Sequence, residues 1–356
     1  MGWYDKEWRR QQADVQLDKT ITMKQLITIS LLALLFSACA TPEKSAIENQ
    51  QASEIVWPMP PQKPRIKYLY QFAKPTDLEI NESFFSRLWG WISGRSLSTG
   101  MVRPYSIAVR DQLIAVADPG NKSVHVFNTN TSEYIRLNKS DHSYFASPVG
   151  VAIGDNQIYI SDSKLGEVFI FTTEGESVNT IKGLKRPTGL SFNHDSKRLY
   201  VSDTLEHKIV IYNSDGQKQF SFGQREKDKG DFNFPSHLVL DKDRLYVNDT
   251  MNFRIQIFDL DGNYITGFGK HGDASGYFSQ PKGVAIDSKG HIYVADAILN
   301  RVQIFDQQGR FLLEFGNEGR RSGEFWLPSG IFIDQDKIYV ADSYNRRVQV
   351  FQYVGG

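Results

Sequence analysis

Short runs of alternating apolar and polar residues dominate the chain from residue 101 to its end, and they recur at a regular spacing. The clearest run ends in an aspartate and is found six times, at intervals of 41 to 47 residues between the aspartates. Its copies are Ile114–Asp118, Ile158–Asp162, Leu199–Asp203, Leu245–Asp249, Ile292–Asp296 and Ile338–Asp342. Alternation with a period of two residues is typical of β-strands, so the sequence predicts six equivalent short strands.

Three further elements accompany each aspartate strand. A run opened by proline precedes it, an alternating run begins five residues after the aspartate, and a last run follows a turn. The prolines are Pro104, Pro148, Pro187, Pro235, Pro281 and Pro328. Four antiparallel strands in about 45 residues are the period of a β-propeller blade, so the pattern predicts six blades.

The residues of the repeat resemble those of a known family. The fifth copy contains Pro281-Lys-Gly-Val-Ala-Ile-Asp287, Ile292-Tyr-Val-Ala-Asp296 and Asn300-Arg-Val-Gln-Ile-Phe305. These motifs resemble the NHL-repeat family of β-propellers over roughly residues 101–353, most closely in the last three copies. The resemblance implies an all-β fold, a six-bladed β-propeller of four-stranded antiparallel blades.

The sixth copy ends after its third strand, which leaves the outer edge of its sheet without a partner. Such an edge exposes a row of backbone donors and acceptors. Residues 65–72, Arg-Ile-Lys-Tyr-Leu-Tyr-Gln-Phe, form a strand-like segment that belongs to no copy. We therefore predict that this segment becomes the fourth strand of blade six and closes the ring.

An apolar run, Leu26–Ala38, precedes Cys39, the only cysteine of the chain. It is shorter than the roughly 20 residues that span a bilayer and has the length of a signal-peptide core. The segment Leu35-Phe-Ser-Ala-Cys39 resembles a bacterial lipobox, in which the thiol accepts a diacylglycerol. We predict a leader and signal peptide over residues 1–38, with translation starting at Met23, and a lipid anchor at Cys39. The alternative is a free buried cysteine behind an ordinary signal peptide.

Residues 39–64 are polar and then rich in proline, which predicts a lipidated tether ahead of a propeller over residues 65–356. Ala40 follows the cysteine, where an aspartate would resemble an inner-membrane retention signal. The expected protein is therefore an exported lipoprotein, anchored in the outer membrane and facing the periplasm or the cell surface.

The charges of the chain are balanced, with 41 basic and 41 acidic residues and a formal net charge of zero. A broad basic footprint for nucleic acid is therefore not expected, and we predict no nucleic-acid partner. We also predict no cofactor, and we expect a monomer.

The turn after each aspartate strand lies on the same face of the predicted ring as the crossover to the next blade. The fifth residue after the aspartate is basic in blades three to six: Lys208, Arg254, Arg301 and Arg347. The same face carries further candidates for partner binding: Lys270, Arg320, Arg321, Tyr344, Arg346 and His237. Each arginine could instead pair with a nearby aspartate and stiffen its loop, an alternative that the sequence leaves open.

Residues 81–100 match no blade and predict a short amphipathic helix. Phe84, Phe85, Leu88, Trp89, Trp91 and Ile92 follow helical spacing. The segment would lie in the crossover from the closing strand to blade one. Trp89 and Trp91 would then either pack as a cap on the propeller or face a partner or membrane.

Two kinds of propeller enzyme resemble this architecture, and the sequence reproduces the metal ligands of neither. Amidating lyases of NHL type hold a zinc with several histidines of the inner strands, whereas only His237 starts an inner strand here. Six-bladed lactonases hold a divalent cation with Glu, Asn and Asp, whereas the repeated aspartates here end the second strands, as loop caps do. We therefore predict no catalytic residues and no metal. The expected function is an envelope binding scaffold for a protein or a polysaccharide; the alternative is a metal-dependent hydrolase or lyase using the central channel.

Overall fold

The computed structural model describes residues 54–80 and 100–355, and its folded unit begins at Glu54. Several predicted features lie outside the described residues: the lipidation site Cys39, the predicted signal peptide, the predicted tether up to residue 53, and the predicted helix with Trp89 and Trp91. The predictions made for them therefore stay predictions. No helix within residues 54–80 and 100–355 has the length and apolar character needed to cross a membrane.

The described residues form six antiparallel sheets, each of which is one blade of a β-propeller. The strands of a blade are lettered a to d from the central channel outward. Blade one contains Ser106–Arg110, Leu113–Asp118, Ser123–Asn128 and Glu133–Leu137. Blade two contains Pro148–Ile153, Gln157–Asp162, Glu167–Thr172 and Ser177–Ile181. Blade three contains Pro187–Asn193, Arg198–Asp203, Lys208–Asn213 and Lys218–Phe222.

The second half of the ring repeats this plan and confirms the six predicted units. Blade four contains Pro235–Asp241, Arg244–Asp249, Arg254–Asp259 and Tyr264–Phe268. Blade five contains Pro281–Ile286, Ile292–Asp296, Arg301–Phe305 and Phe311–Phe315. Blade six contains Pro328–Asp334, Lys337–Asp342, Arg347–Tyr353, Ile66–Phe72 and Val56–Trp57. Short 3₁₀ helices are found at Pro75–Leu78, Thr204–Glu206, Thr250–Asn252 and Ser343–Asn345.

The strand directions define two faces of the propeller. Strands a and c run one way and strands b and d run the other, because neighbouring strands are antiparallel. The b–c turns and the d–a crossovers therefore share one face, named the loop face. The a–b and c–d turns share the opposite face, named the turn face.

The N-terminal strand closes the ring. Ile66–Phe72 pairs antiparallel with Arg347–Tyr353, from Ile66 opposite Tyr353 to Phe72 opposite Val348. This pairing confirms the predicted closure of blade six by residues 65–72. Ile66 and Phe72 are both fully buried, so the pairing also contributes apolar contacts to the core.

Blade six contains one strand that the sequence pattern does not predict. Val56–Trp57 pairs with the start of the closing strand and gives this blade a fifth strand. The indole of Trp57 packs 5.7 Å from Phe315 and 5.8 Å from Phe351, measured between ring centroids. The last residues of the predicted tether are therefore part of the propeller, because the indole buries apolar surface that a free tether would expose.

The core lies between neighbouring blades. Strand b is apolar on both faces because a blade packs on each side of it, and its tyrosines are buried: Tyr159, Tyr200, Tyr246 and Tyr293. Aromatic residues of the crossovers join this core. Phe232 lies 6.1 Å from Phe222 and 5.4 Å from Phe258, and it anchors its crossover.

The inner strands approach one another closely near the loop face. A Cβ atom on Gly150 would lie 1.9 Å from the carbonyl oxygen of Thr188 in the next blade. Gly330 donates a backbone hydrogen bond of 2.7 Å to Tyr105 of blade one. Only glycine fits such contacts, and glycine occupies this position in four blades. Blades one and four have a serine and His237 instead.

Candidate functional site

The aspartates that end the b strands cap the loops of the loop face. The carboxylate of Asp162 accepts hydrogen bonds from the backbone N–H groups of Ala146 and Ser147 at 2.7 and 2.9 Å. Asp296 accepts equivalent bonds from the crossover before blade five. Each of these buried carboxylates joins a b–c turn to a d–a crossover, which confirms the interpretation of these aspartates as loop caps.

Glutamines in the c strands hold the same crossovers, a role that the sequence analysis missed. The side chain of Gln349 accepts from the backbone N–H of Gly323 at 2.8 Å and donates to the carbonyl of Glu324 at 2.6 Å. It also donates to Asp342 at 3.0 Å. Gln256 and Gln303 bind their crossovers in the same way. The recurring Gln in Val-Gln-Ile-Phe was the available signal.

The three arginines of the predicted basic arc brace loops. Arg347 bonds to Asp342 at 2.8 Å and to the carbonyls of Arg321 and Glu324 at 2.7 and 3.0 Å. Arg254 bonds to Asp249 at 2.8 Å and to crossover carbonyls. Arg301 pairs with a strand-d glutamate at 3.1 Å and with a crossover carbonyl.

That these arginines contact a partner stays a prediction, and the structure shows what such a contact would cost. Their side chains are 9 to 19% exposed, and their N–H groups point into the protein. A guanidinium that already satisfies carbonyls and a carboxylate would lose those bonds on turning outward. Their contacts agree with the alternative that the sequence leaves open, in which these arginines stiffen the loops.

The other candidates of the loop face, apart from the buried His237, are exposed. Arg321 pairs with Glu324 at 2.6 Å, and the ammonium of Lys270 lies 4.3 Å from the ring centroid of Tyr277. Arg346 is exposed beside Tyr344. These side chains, unlike the bracing arginines, are accessible from solvent.

A second exposed set repeats around the same face, and only Tyr344 of its members was among the predicted candidates. The second residue after the blade aspartate is a large apolar residue in blades three to six, and 44 to 55% of its surface is exposed. These residues form what we name the apolar arc: Leu205, Met251, Ile298 and Tyr344. Blades one and two have Gly120 and Lys164 at this position, so the arc covers four consecutive blades.

The central channel forms a cavity of about 370 Å³ lined by the six a strands. Its lining is mostly aliphatic, and its titratable residues are Arg110, His194, His237, Asp241 and Asp334. His237 starts the inner strand of blade four as predicted and is 9% exposed. Burial, with a smaller contribution from the charge of Lys282, lowers the pKa of His237 from 6.5 to about 4. Its imidazole is therefore neutral at pH 7.

The buried imidazole of His237 makes the free energy of unfolding depend on pH. Because the folded-state pKa of His237 lies below its unfolded value, the unfolded chain binds more protons between pH 6.5 and pH 4. The free energy of unfolding should therefore fall by about 3 kcal/mol as the pH drops from 7 to 4, and His237→Gln should remove that component. Urea titrations at both pH values measure it, with His142→Gln, at an exposed site, as control. Equal acid sensitivity in wild type and His237→Gln would contradict the assignment.

Comparison with known protein families assigns the chain to one of them. The sequence profile of the SMP-30/gluconolactonase/LRE-like region matches residues 102–228 and 236–316, more than half of the chain. The chain belongs to this family. A second profile, described as a 6-bladed β-propeller, matches residues 288–355. No curated protein sequence matches the chain.

Solved structures share the fold of this SMP-30/gluconolactonase/LRE-like propeller at low sequence identity. A catalytically inactive virginiamycin B lyase from Staphylococcus aureus with quinupristin is 14% identical, with a TM-score of 0.53, over 71% of this chain and 95% of that chain. An auxiliary nutrient binding protein from Bacteroides thetaiotaomicron is 13% identical, with a TM-score of 0.57, over 72% and 70%. A chain of the nidogen/laminin complex is 17% identical, with a TM-score of 0.53, over 68% and 89%.

The resemblance to lactonases implies a divalent cation in the channel, and the residues present do not fit it. Among residues 54–80 and 100–355, no group of three or more His, Cys, Asp and Glu side chains could hold a metal. The described residues that line the channel include neither Glu nor Asn, and their carboxylates are those of Asp241 and Asp334. The ligand set of Glu, Asn and Asp is thus not reproduced in this family member, and we derive no step through a metal.

Proposed function

We propose that this protein is a non-catalytic binding scaffold of the cell envelope, which holds a protein partner on the loop face. The apolar arc carries the proposal. A solvent-exposed leucine, methionine, isoleucine and tyrosine at one position of four successive blades contribute little to the fold. Repeated exposed apolar side chains on one face are typical of interaction surfaces.

A protein suits this surface better than a polysaccharide. Leucine, methionine and isoleucine offer no hydrogen bonds to sugar hydroxyls, whereas they pack well against apolar side chains. Exposed charged residues such as Arg346 and Lys270 share the loop face with the arc. An apolar centre with a charged rim is the common composition of protein–protein interfaces.

The proposal includes a lipid anchor at Cys39 and an outer-membrane location for a monomeric propeller. The lipobox-like segment before Cys39 supports the anchor. The fold alone is compatible with binding, since similar propellers include a nutrient binding protein and a chain of the nidogen/laminin complex. Fold likeness does not transfer their ligands.

The experiment compares capture of a partner by two triple variants in intact cells. A photo-crosslinking amino acid at Arg346 marks proteins bound beside the arc. Leu205→Ser/Met251→Ser/Ile298→Ser should reduce the crosslinked partner at least about tenfold, since each truncated interface anchor weakens binding by roughly 1 kcal/mol or more. Quantitative mass spectrometry of the crosslinked species measures the effect.

The matched control removes equally exposed residues from the outer d strands. Val178→Ser/Ile265→Ser/Leu312→Ser changes side chains that are 45 to 50% exposed and lie away from the arc. This control should capture as much partner as wild type. Equal loss in both variants, or no loss in the arc variant, would refute the arc as the docking surface.

Hydrolysis or elimination in the channel is the second candidate, and two observations favour it. The chain belongs to a family whose description includes gluconolactonase, and His237 faces the channel as a neutral imidazole. No described residue hydrogen-bonds to its ring. Turnover of a lactone that His237→Gln abolishes, together with unchanged capture by the arc variant, would replace the scaffold with this candidate.

A further inference from the structure

Four side chains form a continuous stack on the loop face, where blades five, six and one meet. The guanidinium of Arg103 lies 5.0 Å from the ring centroid of Tyr344 and donates to its hydroxyl at 3.3 Å. The ring of Tyr344 lies 5.7 Å from that of Trp326. The guanidinium of Arg320 lies 4.7 Å from the ring centroid of Trp326. We name this set the arginine–aromatic stack.

The backbone under the stack is fixed by the loop caps. Trp326 donates its N–H to Asp342 at 2.8 Å, and Arg103 donates its N–H to Asp118 at 2.8 Å. Tyr344 donates its N–H to the carbonyl of Trp326 at 3.1 Å. Two buried aspartates from blades six and one therefore fix the backbone at Trp326 and Arg103, which lowers the entropy lost on binding.

Among the described residues, the two arginines of the stack have no acidic partner of the kind that Arg321 and Arg347 have. Within residues 54–80 and 100–355, no carboxylate lies within ion-pair distance of Arg103 or Arg320. Both are exposed, whereas the neighbouring Arg321 pairs with Glu324 and Arg310 of the turn face pairs with Asp306. Each guanidinium carbon lies 4.7 to 5.0 Å from a ring centroid and both side chains are exposed, so N–H groups of both arginines remain accessible to a ligand.

The chemistry of the stack selects an anionic group on a protein. An exposed guanidinium presents a fork of N–H groups that matches a carboxylate. Trp, Tyr and Arg are the residues enriched at the energetic centres of protein interfaces, and Tyr344 also belongs to the apolar arc. One guanidinium lies over each ring, Arg103 over Tyr344 and Arg320 over Trp326, which reduces the aromatic surface open to stacking on a sugar.

We infer that the arginine–aromatic stack is the centre of the docking surface and that the partner presents an acidic segment to it. Its carboxylates bind Arg103 and Arg320, while apolar side chains of the same partner contact the arc. This inference rests on the proposed function and adds the chemistry of the partner to it.

A labelled peptide of alternating glutamate and leucine serves as the probe, because it combines both features of the inferred segment. Its affinity for the full chain is measured by fluorescence anisotropy at low and high salt. Arg103→Gln/Arg320→Gln should weaken binding at least about tenfold and remove most of its salt dependence. Unchanged melting temperatures show that the variant is folded.

The matched control is Arg310→Gln/Lys289→Gln, which removes the same charge from exposed residues of the turn face. It should bind the peptide as wild type does. Equal weakening in the control would mean that the peptide responds to net charge only and would overturn the inference. Tighter binding of an oligogalacturonate of equal charge would overturn it in favour of an acidic polysaccharide.

Different experimental outcomes would refute the inferred acidic segment and the proposed function. If wild type does not bind the peptide, the acidic segment is wrong, and partner capture by the arc variant still decides the proposed function. If the arc variant captures its partner normally while the peptide binds through Arg103 and Arg320, the proposed apolar surface is wrong and the anionic site remains.

Discussion

A chain that begins at residue 73 should unfold at a much lower urea concentration than a chain that begins at residue 54. Without Ile66–Phe72, the strand Arg347–Tyr353 becomes the exposed edge of blade six, and the ring is open. Removal of the buried Ile66 and Phe72 alone should cost more than about 5 kcal/mol, which is comparable with the whole stability of many domains. Urea unfolding followed by circular dichroism measures the difference.

Point variants separate the contribution of the closing strand from the effect of shortening the chain. Ile66→Ala and Phe72→Ala should each lower the free energy of unfolding by about 2–5 kcal/mol, because each leaves a cavity between blades. Met59→Ala is the control, since Met59 is 71% exposed and its loss should cost less than about 0.5 kcal/mol. Equal stability of the two chain lengths would show that the ring does not depend on this strand.

The architecture was predictable because one local pattern is repeated with little change. The aspartate that ends each strand b also caps the next crossover, so the same residue marks the element in the sequence and fixes it in the fold. Closure by residues 65–72 followed from the missing fourth strand of the last repeat. The strand Val56–Trp57 was not predictable, since two residues give no period and the indole finds its partners only in the folded ring.

The candidate site was predictable in part. Sequence position places Arg254, Arg301 and Arg347 on the loop face, but it does not reveal the carbonyl oxygens that they meet there. Those acceptors come from crossovers more than twenty residues away in the chain. The apolar arc was visible in the sequence as a recurring apolar position after the aspartate. Only the structure shows that these apolar side chains are exposed to solvent and are not part of the core.

The arginine–aromatic stack, unlike the apolar arc, does not follow the repeat. It brings together residues that are far apart in the sequence. Arg103 precedes blade one, whereas Trp326 and Tyr344 belong to blade six, and ring closure makes these blades neighbours. No spacing rule joins positions more than two hundred residues apart. Closure of the ring is therefore a condition for the inferred docking centre as well as for stability.

The ion pair of Arg347 and Asp342 should be among the most costly single interactions to remove. Arg347→Leu leaves the fully buried Asp342 without its guanidinium and leaves the crossover carbonyls of Arg321 and Glu324 without a donor. Breaking a buried pair on one side typically costs about 3–5 kcal/mol, and the loss should be of that size here. Arg346→Leu, at the exposed neighbouring position, should cost less than about 0.5 kcal/mol.

The pH dependence of that loss identifies its cause. Burial raises the pKa of Asp342, while hydrogen bonds from Trp326, Asn345 and Arg347 oppose the rise. In Arg347→Leu the folded-state pKa should rise further, so the folded chain binds a proton that the unfolded chain has released. The destabilisation should therefore be largest at pH 7 and shrink as the pH falls toward the unfolded value of 3.8. Urea titrations of wild type and Arg347→Leu at pH 7 and pH 5 test this, and a loss independent of pH would mean that packing, not the buried charge, sets the cost.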